Sequence, residues 1–317
     1  MGIDDGDAVK LAMVFPGQGS QSVGMLNGYQ GLPEISDIRT RAAGVLGPEF
    51  DRIMNEGPEE ALNLTVNTQP AMVTAGYAAF CAWRALGGAQ PEVVAGHSLG
   101  EYTALVAAGA LDFKDSLPLV RFRAQAMQEA VPAGRGAMAA ILMLDDEAVR
   151  AACAEAGGEV QAVNFNAPGQ IVISGEAAAV ARAVEACKAK GAKRAMPLPV
   201  SAPFHSSLMQ PAAERLKGYL EKVSVCAPRI AVLNNVDVAI EKAPERIKDS
   251  LVRQAASPVR WVETIRKMAA MGVTHVVECG PGRVLAGMTR RCSPELRSLA
   301  LADRGSLEET LQAIGKA

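Results

Sequence analysis

The chain has 317 residues, 49% of them hydrophobic and 21% charged, with 32 Lys and Arg against 34 Asp and Glu. That length holds one large domain, or one domain carrying a second as an insert, and a net charge of -2 provides no overall basic field for nucleic acid. No apolar run reaches the ~18 residues of a membrane span, and the acidic residues 1–7 fit neither a secretory signal nor a myristoylation site, so the expected location is cytoplasmic.

In chain order, 30 glycines and 18 prolines punctuate alternating strand and helix patterns, the rhythm of an α/β protein. A short apolar run at 11–15 ends in Pro16-Gly17-Gln18-Gly19, and another at 93–95 ends in Gly96-His97-Ser98. Both read as buried parallel strands feeding loops. The second loop opens into an Ala- and Leu-rich helix over 99–110, and a further helix is expected over 117–130. Between 132 and 200 the rhythm changes to strand 137–144, helix 145–156, strand 160–165, a turn at Asn166-Ala167-Pro168-Gly169, strand 170–174, helix 176–190 and strand 194–200. This βαββαβ order is the ferredoxin-like pattern. It predicts a small domain at 132–200 inserted into a larger α/β domain of 1–131 and 201–317, which resumes with strands at 230–236 and 274–279 and a helix over 261–271. Six cysteines at wide spacings, with no CxxC pair, read as buried or partly buried free thiols, forming neither a disulfide framework nor a zinc site.

Two loops carry the candidate chemistry. Gly96-His97-Ser98-Leu99-Gly100 is a GxSxG motif between a strand and a helix. There the glycines allow a tight turn that exposes the serine hydroxyl, and the helix start offers unpaired N–H groups to an oxyanion. The bland alternative is a structural Gly-Ser turn. A serine nucleophile needs a base, and the chain has three histidines. His97 adjoins Ser98 and should face away from it, because successive strand side chains point to opposite faces. His275 starts an apolar strand and reads as structural. By elimination the base is His205, in the polar loop Ser201-Ala-Pro-Phe-His-Ser-Ser. Gln18, in Phe15-Pro-Gly-Gln-Gly-Ser-Gln, lies in a glycine-rich loop that matches neither nucleotide-binding pattern, which leaves it the lending of a second oxyanion N–H.

Together with Arg123 and Gln125-Ala-Met127, Val163-Asn-Phe-Asn-Ala-Pro-Gly-Gln, Pro203-Phe-His205, Asn234-Asn-Val-Asp, Val252-Arg-Gln254 and Gly280-Pro-Gly, these motifs run in unbroken order from residue 11 to 290. In this the chain resembles the malonyl-CoA:acyl carrier protein transacylases, in the acyltransferase family of fatty acid and polyketide synthesis. The resemblance implies an α/β-hydrolase-like core with a ferredoxin-like insert, and a ping-pong transfer of malonyl from coenzyme A to the phosphopantetheine thiol of acyl carrier protein. It assigns Ser98 as nucleophile, His205 as base, and the backbone N–H groups of Gln18 and Leu99 as oxyanion donors. It also has a backbone carbonyl near Gln254 orienting the histidine. Arg123, otherwise an ordinary helix arginine, becomes the partner of the malonyl carboxylate. Gln69, Met127, Asn166 and Gln254 become pocket lining, and Phe204 a residue favouring malonyl over methylmalonyl. No cofactor and no metal is expected.

Two basic clusters, Lys188, Lys190, Lys193 and Arg194, and Arg283, Arg290 and Arg291, are either solvated faces or docking points for an acidic carrier or CoA phosphates. A serine thioesterase or esterase using the same Ser/His pair is the alternative function, and a non-catalytic carrier-binding module is a third.

Overall fold

The computed structural model describes residues 9–200 and 202–315. Residues 1–7, read above for targeting signals, and the domain limits at 1, 201 and 317 lie outside the described residues. Among the described residues there are nine strands, β1 (Leu11–Phe15), β2 (Val93–Gly96), β3 (Gly136–Leu142), β4 (Val160–Ala167), β5 (Gln170–Glu176), β6 (Arg194–Pro197), β7 (Ala231–Leu233), β8 (His275–Cys279) and β9 (Arg297–Leu301). They form two sheets, a parallel one in the order β7-β2-β1-β8-β9 and an antiparallel one in the order β4-β5-β3-β6.

Every residue of β1 and β2 is buried, as the continuous apolar runs require of strands covered on both faces. Their register pairs Phe15 with Gly96, so the Gln18 loop and the Ser98 loop leave the sheet side by side. The His97 N–H donates to the Phe15 carbonyl at 3.0 Å and carries the pairing one residue further. Three glycines make this approach possible. A Cβ on Gly96 would sit 1.8 Å from the Gly100 carbonyl carbon, one on Gly100 would sit 2.0 Å from the Phe15 oxygen, and one on Gly17 would sit 2.6 Å from the His97 oxygen.

The antiparallel sheet stacks one face on helices Asp146–Ala156 and Ala177–Ala189, burying Ile141, Ile171, Ile173, Val149 and Val180. Its other face puts Met138, Val163 and Val172 against Leu198, Val200 and Phe204. β4 also bonds the chain around Val259, through Val259 N–H to the Val163 oxygen at 2.7 Å and Phe165 N–H to the Val259 oxygen at 3.0 Å, which ties the two sheets together.

Several boundaries differ from the sequence reading. β4 continues through Asn166 and Ala167, so the turn is reduced to Pro168-Gly169, with Gly169 at φ +69°; the hairpin needs only two residues. β6 stops at Pro197, a residue with no N–H to continue a ladder. β7 stops at Leu233, where the Asn234 side chain accepts the Asp237 N–H at 2.7 Å and opens a turn. The helix expected over 117–130 is Phe113–Glu129, started a turn earlier by the Asp112 side chain, which accepts from Lys114 and Asp115 N–H. Cys226 is exposed, against the expectation of burial; the other five thiols are buried or half-buried, and all six are unpaired. His275 lies on β8 and bonds Thr274.

Candidate active site

The Ser98 turn is the centre of the site. Ser98 holds φ at 51°, a left-handed conformation that a side-chain-bearing residue keeps only when its surroundings enforce it. Here the enforcement is visible. The Ser98 N–H donates to Asn235 Oδ1 at 2.7 Å, Asn235 Nδ2 donates back to the Gly96 oxygen at 2.7 Å, and Gln254 Nε2 donates to the Ser98 oxygen at 3.0 Å.

The hydroxyl points at His205. Ser98 Oγ lies 2.7 Å from His205 Nε2, and His205 Nδ1 lies 3.0 Å from the Gln254 backbone oxygen. A carbonyl can only accept, so Nδ1 carries the ring proton and Nε2 is free to accept from the serine. His205 also has a positive φ, 64°, and is 4% exposed. Burial first, and the Arg123 charge second, push its pKa down to about 3. The imidazole is therefore neutral throughout the physiological range.

Arg123 is 2% exposed, on helix Phe113–Glu129. Its Nη1 donates to Gln69 Oε1 at 3.0 Å, and its Nη2 donates to Gln254 Oε1 at 3.0 Å and Ser98 Oγ at 3.2 Å. The guanidinium carbon lies 5.4 Å from the Tyr102 ring centroid. Among the described residues it forms no ion pair, and its Nε–H finds no acceptor. A buried guanidinium partnered only by neutral oxygens and a ring is an incomplete arrangement, because a desolvated cation is costly until an anion meets it.

A cavity of about 130 Å³ opens over these groups. Of the residues singled out from sequence, Gln18, Gln69, Ser98, Leu99, Arg123, Met127, Phe204 and His205 line it. Among the described residues the backbone N–H groups of Gln18 and Leu99 carry no hydrogen bond. Asn166 and Gln254 stand behind the lining. Asn166 Oδ1 lies 2.7 Å from His97 Nε2, and Gln254 braces Ser98, His205 and Arg123 at once. His97 does line the cavity, and its ring is held by Asn166 and edge-on to Trp261, 5.4 Å between centroids. Strand alternation does not turn His97 away, since β2 ends at Gly96. Met138, Asn164, Leu198 and Val200 supply the opposite wall from the antiparallel sheet and its exit. A larger cleft of about 470 Å³, lined by Leu64, Val66 and Pro199, shares Gln18 and Val200 with the cavity.

Sequence reasoning missed Glu101, Asn235 and the apolar wall. Asn235 sits inside a quoted motif and Glu101 directly follows one, but their bonds to the Ser98 turn and to Gln254 cross more than 130 residues of chain. In the basic clusters, Lys188 pairs with Glu185 and Lys190 with Glu155, while Arg291 bonds Gln170 and the Pro168 oxygen. Lys193, Arg194, Arg283 and Arg290 are exposed. Among the described residues no group of three or more His, Cys, Asp or Glu could hold a metal ion, and no helix is long and apolar enough to cross a membrane.

A serine on a strained strand-to-helix turn, bonded to a neutral histidine, is the construction of enzymes that pass acyl groups through a serine ester. The chain belongs to the acyl transferase domain family, which it matches over residues 12–302. It is 49% identical over 306 residues to the malonyl CoA-acyl carrier protein transacylase of Escherichia coli K12, covering 96% of this chain and 99% of that one. Among solved structures it superposes on the acyl-carrier-protein S-malonyltransferase of Burkholderia pseudomallei 1710b with a TM-score of 0.94 and 59% identity, covering 96% of this chain and all of that one. A malonyl-transacylase in complex with its type II polyketide synthase acyl-carrier protein matches with a TM-score of 0.94 and 49% identity, over 96% of this chain and 99% of that chain.

Proposed function

We propose that this protein transfers the malonyl group of malonyl-CoA to the phosphopantetheine thiol of acyl carrier protein through a malonyl ester on Ser98. The observation that carries the reading is the buried Arg123, with no carboxylate paired directly to it among the described residues, beside the Ser98–His205 pair. An acyl group ending in a carboxylate completes that arrangement, and a guanidinium meets a carboxylate with paired, directional bonds. Gln69 and Gln254 hold the guanidinium in place, Met127 lines the same cavity, and Phe204 crowds the α-carbon of the acyl group.

In the first half-reaction Ser98 Oγ attacks the thioester carbonyl while His205 Nε2 takes the hydroxyl proton. The tetrahedral oxyanion is met by the N–H groups of Gln18 and Leu99. Collapse breaks the C–S bond, and the leaving CoA sulfur takes the proton from Nε2. In the second half the carrier thiol gives its proton to Nε2 as sulfur attacks the ester, and collapse returns that proton to Ser98 Oγ. The Gln254 carbonyl keeps the imidazole in the accepting tautomer by a dipole, where hydrolases use a full negative charge. No cofactor enters these steps.

The architecture is read as an α/β-hydrolase-like body of 1–131 and 201–317 with a ferredoxin-like insert at 132–200. Its support is the parallel sheet built from both chain segments and the unbroken run β3 to β6 in one antiparallel sheet. Six unpaired thiols favour a cytoplasmic location. The test is intact mass after exposure to malonyl-CoA, followed by addition of phosphopantetheinylated carrier. One malonyl adduct on Ser98 that passes to the carrier, and no adduct in Ser98→Ala, is expected. Release of free malonate at the rate of acylation would make the protein a hydrolase.

A further inference from the structure

Glu101, on helix Gly100–Ala107, is 2% exposed and has no part in the steps above. Its Oε2 accepts two bonds, from the Asn235 backbone N–H at 2.9 Å and from Gln254 Nε2 at 2.9 Å. Both donors hold the reacting groups. Asn235 pins the Ser98 N–H, while Gln254 bonds the Ser98 oxygen, the Arg123 guanidinium and His205. One buried carboxylate thus sits behind nucleophile, base and cation together.

We propose that Glu101 is a positioning residue of the transfer reaction, whose carboxylate turns the Gln254 amide so that its oxygen meets Arg123 and its nitrogen clasps the Ser98 turn. Donor and acceptor roles dictate that orientation. An ionised carboxylate can only accept, so the Gln254 face toward Glu101 must be its NH₂, and the opposite face, toward Arg123, must be its oxygen. The Ser98 carbonyl and the Arg123 guanidinium favour the same orientation of the amide, so protonation of Glu101 does not turn it over. It removes the negative charge to which Gln254 Nε2 and the Asn235 N–H donate, and both bonds weaken. Ionisation of Glu101 is thereby read out as the firmness with which Gln254 and Asn235 hold the Ser98 turn and Arg123.

The groups facing Glu101 bear on its ionisation in opposite directions. Burial raises its pKa to about 7, the bonds from Gln254 and Asn235 and the Arg123 charge draw it down, and Asp237 raises it. Tyr102 also lies within its field. The carboxylate is ionised above that value and protonated below it. His205, neutral above about 3, and His97, drawn down mainly by burial, add no limb of their own above pH 7.

The inference rests on the transfer reading, and the experiment separates the two. The acylation half-reaction with malonyl-CoA is followed by rapid quench and intact mass from pH 5 to 9, without carrier, so that no carrier thiol titrates. The wild-type rate constant is expected to fall roughly tenfold for each pH unit below the midpoint, as for one required deprotonated group. In Glu101→Gln the limb should vanish and the rate at pH 8 should drop about tenfold. Glu101→Asp should keep a limb, and Glu278→Gln, which removes a buried carboxyl elsewhere, should keep it unchanged. A flat wild-type profile, or a limb that survives in Glu101→Gln, overturns the assignment whether or not every variant folds. An enzyme that gains no adduct at any pH overturns the transfer reading itself.

Discussion

In the proposed transfer, Arg123 is the residue on which selectivity turns. Once a malonyl carboxylate is drawn into the cavity, removing the guanidinium leaves an unpaired buried charge, a penalty of ~3 to 5 kcal/mol, or roughly 10² to 10³ in kcat/KM. An acetyl group brings no charge and loses nothing. Arg123→Ala is therefore expected to depress malonyl transfer by that factor while acetyl transfer stays level or improves, measured side by side with the two CoA thioesters. Equal losses would make Arg123 a structural residue. At this scale the sequence was uneven in what it disclosed. The Ser98 turn was legible because its glycines are demanded by contacts of about 2 Å, and few residue types satisfy such a constraint. Arg123 looked like any helix arginine, since nothing in its neighbours along the chain records that Gln69 and Gln254 arrive from 54 residues before it and 131 after it. Only the family resemblance singled it out. Glu101 was hidden for the same reason.

The elements were most legible where one face is apolar or where glycine and proline set the limits. The βαββαβ run of the small sheet emerged almost whole, because its helices have a single buried stripe and its hairpin is marked by Pro168-Gly169. Helix Thr65–Ala85 left no such trace. Fifteen of its 21 residues are buried, so polar and apolar positions do not alternate with the turn, and Pro70 reads as a breaker. Elements also dictate which glycines can be replaced. Gly100 opens its helix against the Phe15 oxygen, so Gly100→Ala must push the helix off β1. It should lose at least ~2 kcal/mol of stability, and activity should fall further than the folded fraction explains. Gly44, on helix Pro33–Leu46, has open space within 4 Å of where an alanine methyl would sit, and no left-handed backbone. Gly44→Ala should gain about 0.5 to 1 kcal/mol. Urea denaturation of the two variants tests both signs.

For the whole molecule, the response of stability to pH follows from carboxyls buried away from the reaction. Glu278 is the penultimate residue of β8, with its Oε2 accepting the Ala286 N–H at 2.8 Å, at the start of helix Val284–Cys292. Burial outweighs the helix and raises its pKa to about 7. Between the unfolded value near 4.5 and that value the native state holds a proton that the unfolded chain has released. Stability from this group is therefore complete at the acid end and declines as pH rises, by up to about 3 kcal/mol. Glu278→Gln should cost most near pH 5 and progressively less toward pH 8 in denaturation experiments; an equal cost at both ends would refute the shift. The same global view gives meaning to the cavity's two walls. Gln18 and Ser98 stand on the parallel sheet's loops and Arg123 on helix Phe113–Glu129, whereas His205, like Leu198 and Val200, lies on the segment that leaves the antiparallel sheet, which also supplies Met138. Nucleophile and base thus arrive from different sheets, so the reactive pair exists only while the two sheets keep their mutual position.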